Sequence, residues 1–202
     1  MSKKSPLVLL IMLAILTPAF GAIDKVSVGG TYAMETITRG ESTVEEKITS
    51  AGVVVNGSSY FSPLNDIGMK YWLGVRKSLT WTEGNTTLDV TDVPWYMDAG
   101  VAVAYQAPVN LDLFLEAGAG FQYSLQSASE FGITVELGTF YLNAFFELNY
   151  ALQSNLFLSA GVLAGYPLYI DGSIKVGSYT WSGNESAKGI YIAPYAAISF
   201  AY

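Results

Sequence analysis

Hydrophobic and polar positions alternate with period two over long tracts of this 202-residue chain. Between Leu111 and Leu125 the odd positions are Leu111, Leu113, Leu115, Ala117, Ala119, Phe121, Tyr123 and Leu125. The even positions are Asp112, Phe114, Glu116, Gly118, Gly120, Gln122 and Ser124. A strand sends alternate side chains to opposite faces, so one face here is bulky and uncharged. The same rule gives apolar faces from Phe140 to Tyr150, from Leu158 to Leu168 and from Ile190 to Tyr202. It recurs less cleanly earlier, as Val26, Val28, Tyr32 and Met34, then Tyr71 to Trp81, then Trp95 to Tyr105. Eight strands are predicted: 26–37, 50–61, 69–81, 94–107, 111–125, 138–151, 156–170 and 190–202. Each reaches the ~9–11 residues that a tilted strand needs to cross a bilayer.

The connections alternate in length. Those at 62–68, 108–110 and 152–155 are short, whereas 38–49, 82–93, 126–137 and 171–189 are long. Short turns at one end and long loops at the other are the habit of membrane barrels. Aromatic residues cluster at both ends of the apolar face. Phe61, Tyr71, Tyr105, Tyr150, Phe200 and Tyr202 fall at the turn side, and Trp81, Trp95, Tyr123 and Tyr166 at the loop side. Such belts sit at membrane–water interfaces. A secreted lipocalin-like barrel has the same strand count but points its apolar face inward. Here the inward set would be small and ionised, which favours an all-β, eight-stranded, antiparallel up-and-down transmembrane barrel.

Composition narrows the functions. With 51% hydrophobic and 13% charged residues the chain is too apolar to be disordered. A net charge of −7 gives no basic surface for nucleic acid. The chain has no cysteine and no histidine, which removes disulfides, thiolate chemistry and the commonest general base. Lys3 and Lys4 precede an apolar run from Leu7 to Leu16, then Pro18 and the small-residue pattern Ala19-Phe20-Gly21. That order predicts a signal peptide over 1–21 and a barrel domain over 22–202. The apolar run is shorter than the ~20 residues of a spanning helix.

On these residues the chain resembles the small eight-stranded outer-membrane proteins of diderm bacteria, of the OmpW, OmpX and OmpA-transmembrane-domain type. The most specific feature is the alternating C-terminus, in which Ile198, Phe200 and Tyr202 are similar to the signal read by the barrel-assembly machinery. The resemblance implies an outer-membrane location, lipid partners and a monomer. It covers solute conduits, adhesins and structural barrels alike. Enzymes among such barrels use a histidine that this chain lacks, so no enzyme, cofactor, metal or catalytic residue is expected. Acidic residues such as Asp89 and Asp92 read as solvated charge.

Four features remain for function. Lys70, Arg76, Asp98, Asp112, Glu116 and Glu147, with Glu35, are expected in the lumen, with Arg76 among Asp98, Glu116 and Glu147. They form either a salt-bridged plug, since an eight-stranded barrel is just wide enough for side chains to fill, or a narrow polar path. Inward Trp72, Phe114, Tyr141, Phe145, Phe157 and Tyr169 favour the plug. Lys77 falls on the lipid-facing parity, where it either snorkels to a lipid headgroup or is turned inward by a bulge. Pro167 and Pro194 are expected almost opposite each other, weakening the wall between 164–168 and 192–196. The OmpW resemblance implies sideways release of apolar cargo through such a gap. The expected function is therefore a narrow conduit for small or apolar solutes, or a structural barrel. The alternatives are an adhesin meeting host ligands through acidic loops and a soluble lipocalin-like binder.

Overall fold

The structure, a computed structural model, describes residues 24–61, 66–88, 95–130, 133–176 and 178–201. The signal segment 1–21, Asp89, Asp92 and Tyr202 lie outside the described residues. Among the described residues the chain forms β1 (Lys25–Arg39), β2 (Glu46–Tyr60), β3 (Ile67–Glu83), β4 (Thr86–Leu88) and β5 (Trp95–Pro108). It continues with β6 (Leu113–Glu130), β7 (Ile133–Gln153), β8 (Leu156–Val176) and β9 (Tyr179–Ala201). Every strand pairs antiparallel with its neighbours, and β1 pairs with both β2 and β9. A β2–β3 pairing completes the ring, and β4 is a short extension on β3. The expected eight-stranded antiparallel barrel is therefore the fold.

Alternation decides what each face meets. Val103, Trp95 and Tyr105 on β5 point outward and are more than half exposed. Arg76, Lys70, Gln122, Glu116 and Glu147 point inward and are almost wholly buried. A polar interior within an apolar exterior is the reverse of a soluble barrel, so the lipocalin-like alternative falls. No backbone group of a closed ring is left at an edge, the condition for standing in lipid.

Three expectations are corrected. The segments 126–137 and 171–189 are not loops, because β6 runs to Glu130, β7 starts at Ile133, β8 runs to Val176 and β9 starts at Tyr179. These strand ends project past the ring as a four-stranded blade. Second, Trp81 does not join the outer belt. Ser50 pairs with Ser78 and Thr49 with Thr80, so Leu79 is an extra residue. This bulge places Trp81 opposite the buried, inward Ile48. Third, Tyr169 is not inward. Phe140 pairs with Tyr169 and Tyr141 with Pro167, leaving Leu168 as a bulge. Tyr169 therefore stacks on Phe140 outside, at 5.3 Å between ring centroids, and Ile170 turns in.

Candidate functional site

The lumen is filled by two separate charge layers. The layer near the short turns joins Lys25, Lys70, Glu116 and Glu147. Lys25, the first residue of β1, places its Nζ 2.5 Å from Glu116 Oε2 and 2.6 Å from Glu147 Oε1. It also donates to Asn149 Oδ1 at 3.0 Å. Lys70 Nζ lies 3.0 Å from Glu147 Oε2 and 3.3 Å from Glu116 Oε1, without the alignment of a hydrogen bond. It sits 4.9 Å from the centre of the Phe145 ring. Ser58 donates to Glu116 at 2.8 Å and Tyr195 to Glu147 at 2.6 Å. Two cations and two carboxylates thus neutralise each other, and neutral hydroxyls take up remaining lone pairs, as buried charge requires.

The second layer lies toward the blade and centres on Arg76. Its Nε and Nη2 reach the two Asp98 oxygens at 2.5 and 2.9 Å, a bidentate pair. Nη1 donates to Ser50 at 2.6 Å, and the Tyr96 and Tyr191 rings stand 5.0 and 5.1 Å from the guanidinium carbon. Ser124 donates to Asp98, and Tyr141 donates to Glu35. Arg76 therefore does not meet Glu116 or Glu147, which the two lysines hold instead. Asp112 is absent from both layers. It is exposed in the turn before β6, where its amide donates to Asn110 Oδ1 at 2.9 Å. Lys25 shares the inward parity of Ser27 and Glu35 but lies one residue before the predicted strand 26–37, because the apolar alternation that marks the strand starts only at Val26.

Between the layers is a void of about 30 Å³, lined by Asn56, Lys70, Trp72, Asp98, Gln122 and Phe145 among others. A second, of about 20 Å³, lies beyond Arg76 between Glu35, Ile37, Ile48, Tyr96, Leu137 and Ile170. Each has room for a water or two and no more. Asn56 Nδ2 and Asn143 Oδ1 are buried without a protein partner, which suits a small hydrated space. Side chains of the two charge layers pack the lumen around these two small spaces.

Above these layers the inner face changes character. Ile37, Ile170 and Ala187 form a small buried apolar cluster. Register carries this face up the blade through Val135, Ile174 and Trp181, and then through Ile133, Val176 and Tyr179. The opposite face carries Thr134, Glu136, Ser173, Lys175, Thr180 and Ser182. The inner face of the blade thus carries apolar side chains above the polar layers, with Thr139 and Glu185 in the row of Ile170.

Among the described residues the longest interruption in the wall lies between β8 and β9. Gly165 pairs with Tyr191, and pairing resumes only at Tyr169 with Ser186, so 166–168 and 187–190 face each other without a ladder. Both strands stay paired on their far sides, Pro167 with Tyr141 and Gly189 with Ile37. Gly189 has φ +149°, and a Cβ there would lie 1.9 Å from Thr36 O, so only glycine fits. The two prolines are not opposite each other: Pro194 pairs with Val162. Pro194 lacks its amide on the β1 side, where the ladder skips Tyr32 and Ala33. The segment 192–196 is therefore not the weak wall. The break lies nearer the blade, beside Pro167 and the Leu168 bulge.

Lys77 keeps its outward parity, paired between Ala51 and Trp95, because the bulge falls two residues later at Leu79. Ile198 and Phe200 are outward and about half exposed near the end of β9.

These features define a class, the small transmembrane β-barrel of the outer-membrane type. The crystal structure of the outer membrane protein OprG from Pseudomonas aeruginosa is similar, with TM-score 0.58 and 9% identity over 89% of this chain and 96% of that one. Neisserial surface protein A gives 0.52 at 14% identity, over 88% and 97%. The outer membrane protein AlkL, solved in lipid bilayers, gives 0.50 at 13% identity, over 91% and 92%. No protein-family model and no curated protein sequence matches this chain. At such identities the likeness shows the fold.

Proposed function

We propose that this protein is a resident of a bacterial outer membrane that collects small apolar molecules at its outer mouth. It releases them sideways into the lipid rather than through its axis. The observation that supports this reading is the mostly apolar inner face of the blade above the Arg76–Asp98 layer, beside the unpaired seam at 166–168 and 187–190. An apolar molecule that reaches this layer has no favourable way through two ion-paired layers. The wall beside it already lacks the hydrogen bonds that would have to break. The reading involves no catalysis. Lys77 contacts lipid headgroups near the outer boundary, and Ile198, Phe200 and Tyr202 serve the assembly machinery. Export by a signal peptide over 1–21 and a monomeric state belong to the same reading.

The test joins Tyr166 and Ile190 across the seam. The chain contains no cysteine, so a Tyr166→Cys, Ile190→Cys pair introduces the sole disulfide. In cells with a lipopolysaccharide-coated outer membrane, n-octane uptake above that of cells lacking the protein is expected to vanish on oxidation and return on reduction. Uptake indifferent to the cross-link would overturn sideways release. Regular ion-conducting steps in planar bilayers would overturn the sealed floor.

A further inference from the structure

We infer that the void beyond Arg76 receives the ammonium head of an apolar amine, with Glu35 as its counter-ion and the inner face of the blade along its hydrocarbon body. The inference rests on the capture reading above and names its cargo. It begins from a charge that the protein leaves without a partner of opposite sign. In the layer near the short turns, Lys25 and Lys70 balance Glu116 and Glu147. Toward the blade, Arg76 is taken by Asp98. Arg39 is taken by Glu46, with Nη2 donating to Oε2 at 2.9 Å. Glu35 is the third carboxylate of this region, and among the described residues it has no third cation. It is 6% exposed on the inward face of β1, and the group that donates to it is the neutral hydroxyl of Tyr141.

The remaining lysines of the described residues do not face it. Lys47, Lys77, Lys175 and Lys188 all stand on the outward parity of their strands. Two further carboxylates lie above Glu35 on the inward parity instead. Glu83 pairs with Glu46, Glu185 pairs with Ile170, and both are exposed. A lone carboxylate is costly to bury, and a cation beside it offsets that cost. Carboxylates at the rim raise the local concentration of cations at the mouth.

The void selects the kind of cation. It measures about 20 Å³, and Glu35 lines it together with Ser124, Gln126 and Thr139. That is room for a water or so, which an ammonium group matches in size and in its N–H donors. Arg39 also borders the void, but its charge is met by Glu46. Ile37, Ile48, Leu137 and Ile170 form apolar wall around the same space. A divalent metal takes about six or more oxygens and is poorly served by such a wall. A hydrocarbon chain is well served by it. From Leu137 and Ile170 the apolar side chains continue toward the tip as Val135 and Ile174. An amine with its head at Glu35 lays its chain along them.

n-Octylamine and n-octanol test this, because they share a chain and differ in charge at neutral pH, where an alkylamine is protonated as lysine is. Uptake is measured in cells with and without the full-length protein. The protein is expected to enhance octylamine uptake several-fold more than octanol uptake. Glu35→Gln keeps the size of the side chain and an acceptor for Tyr141, and its folding is checked by heat-modifiability on a gel. It is expected to bring the octylamine enhancement down to the octanol level. On the unaltered protein, excess ethylammonium chloride, which supplies the head without the body, is expected to do the same where equal sodium chloride does not. Three results would each overturn the amine site while leaving capture intact: equal enhancement of amine and alcohol, a preference that survives in folded Glu35→Gln, or a preference that ethylammonium reduces no more than sodium. Enhancement of neither compound would overturn the capture reading itself.

Discussion

The ring and the blade are built from the same strands with opposite amphipathicity. In the ring the outward side chains are mostly apolar and the inward ones include the paired charges; in the blade the outward ones are mostly polar and the inward ones mostly apolar, with Thr139 and Glu185 beside Ile170 as exceptions. The difference follows the solvent. Hydrocarbon outside the ring excludes charge, which collects in the lumen and pairs there. Water outside the blade reverses the preference, so apolar side chains withdraw over the mouth. The strands make the change in two ways. β7 and β9 switch the parity of their apolar residues, from Phe140 and Leu142 to Val135 and Leu137, and from Ile190 and Ile192 to Tyr179 and Trp181. β8 keeps its parity, with Tyr166 and Leu168 followed by Ile170 and Ile174, and inserts the Leu168 bulge so that the same parity turns inward. A bulge is thus an alternative to a change of pattern.

Glu147→Ala should produce the largest difference between the two regions. It leaves Lys25 and Lys70 sharing Glu116 in a dry layer, and breaking one partner of such a set costs about 3–5 kcal/mol. Urea unfolding in lipid vesicles measures it. Glu136→Ala on the blade's wet face should stay within about 0.5 kcal/mol. A blade loss as large as the ring loss would break the comparison. A smaller contrast comes from adding charge outside. Ala144→Lys lies midway along the outward face of β7, where lysine costs about 2–4 kcal/mol. Thr180→Lys, outward on the blade, should be near neutral in the same assay. If both are tolerated, the apolar exterior at Ala144 is not meeting lipid. The smallest effect belongs to Lys77, between the regions. Lys77→Leu should change stability by about 0–1 kcal/mol, and a polarity-sensitive dye on Lys77→Cys should report an interfacial setting. A lumenal signal would place the junction elsewhere.

The ring was almost wholly legible. Alternation alone gave the faces of β5, β6 and most of β7, because a side-chain period of two leaves only the choice of which set meets lipid. The inward positions of Arg76, Asp98, Glu116 and Glu147 followed from parity. Which cation meets which carboxylate did not, since partners such as Lys25 and Glu147 lie 122 positions apart and meet only across the lumen. Asp112 was misplaced because parity continues through a turn on paper, whereas the chain there leaves the strand. The blade is not legible as strand because its outer face lacks the apolar character that marks the strands of the ring.

The sequence by itself determined the class of protein, its strand number and the polarity of its two faces. These depend on local periodicity and on the absence of any longer apolar helix. Tertiary structure alone decided the two-layer floor, the seam beside Pro167 and the inward turn of the blade. Each depends on register between strands, and one unpaired residue, Leu79 or Leu168, is enough to reverse every side chain beyond it. A single-chain pattern carries no record of which residue is left unpaired, because that is a property of two strands held against each other.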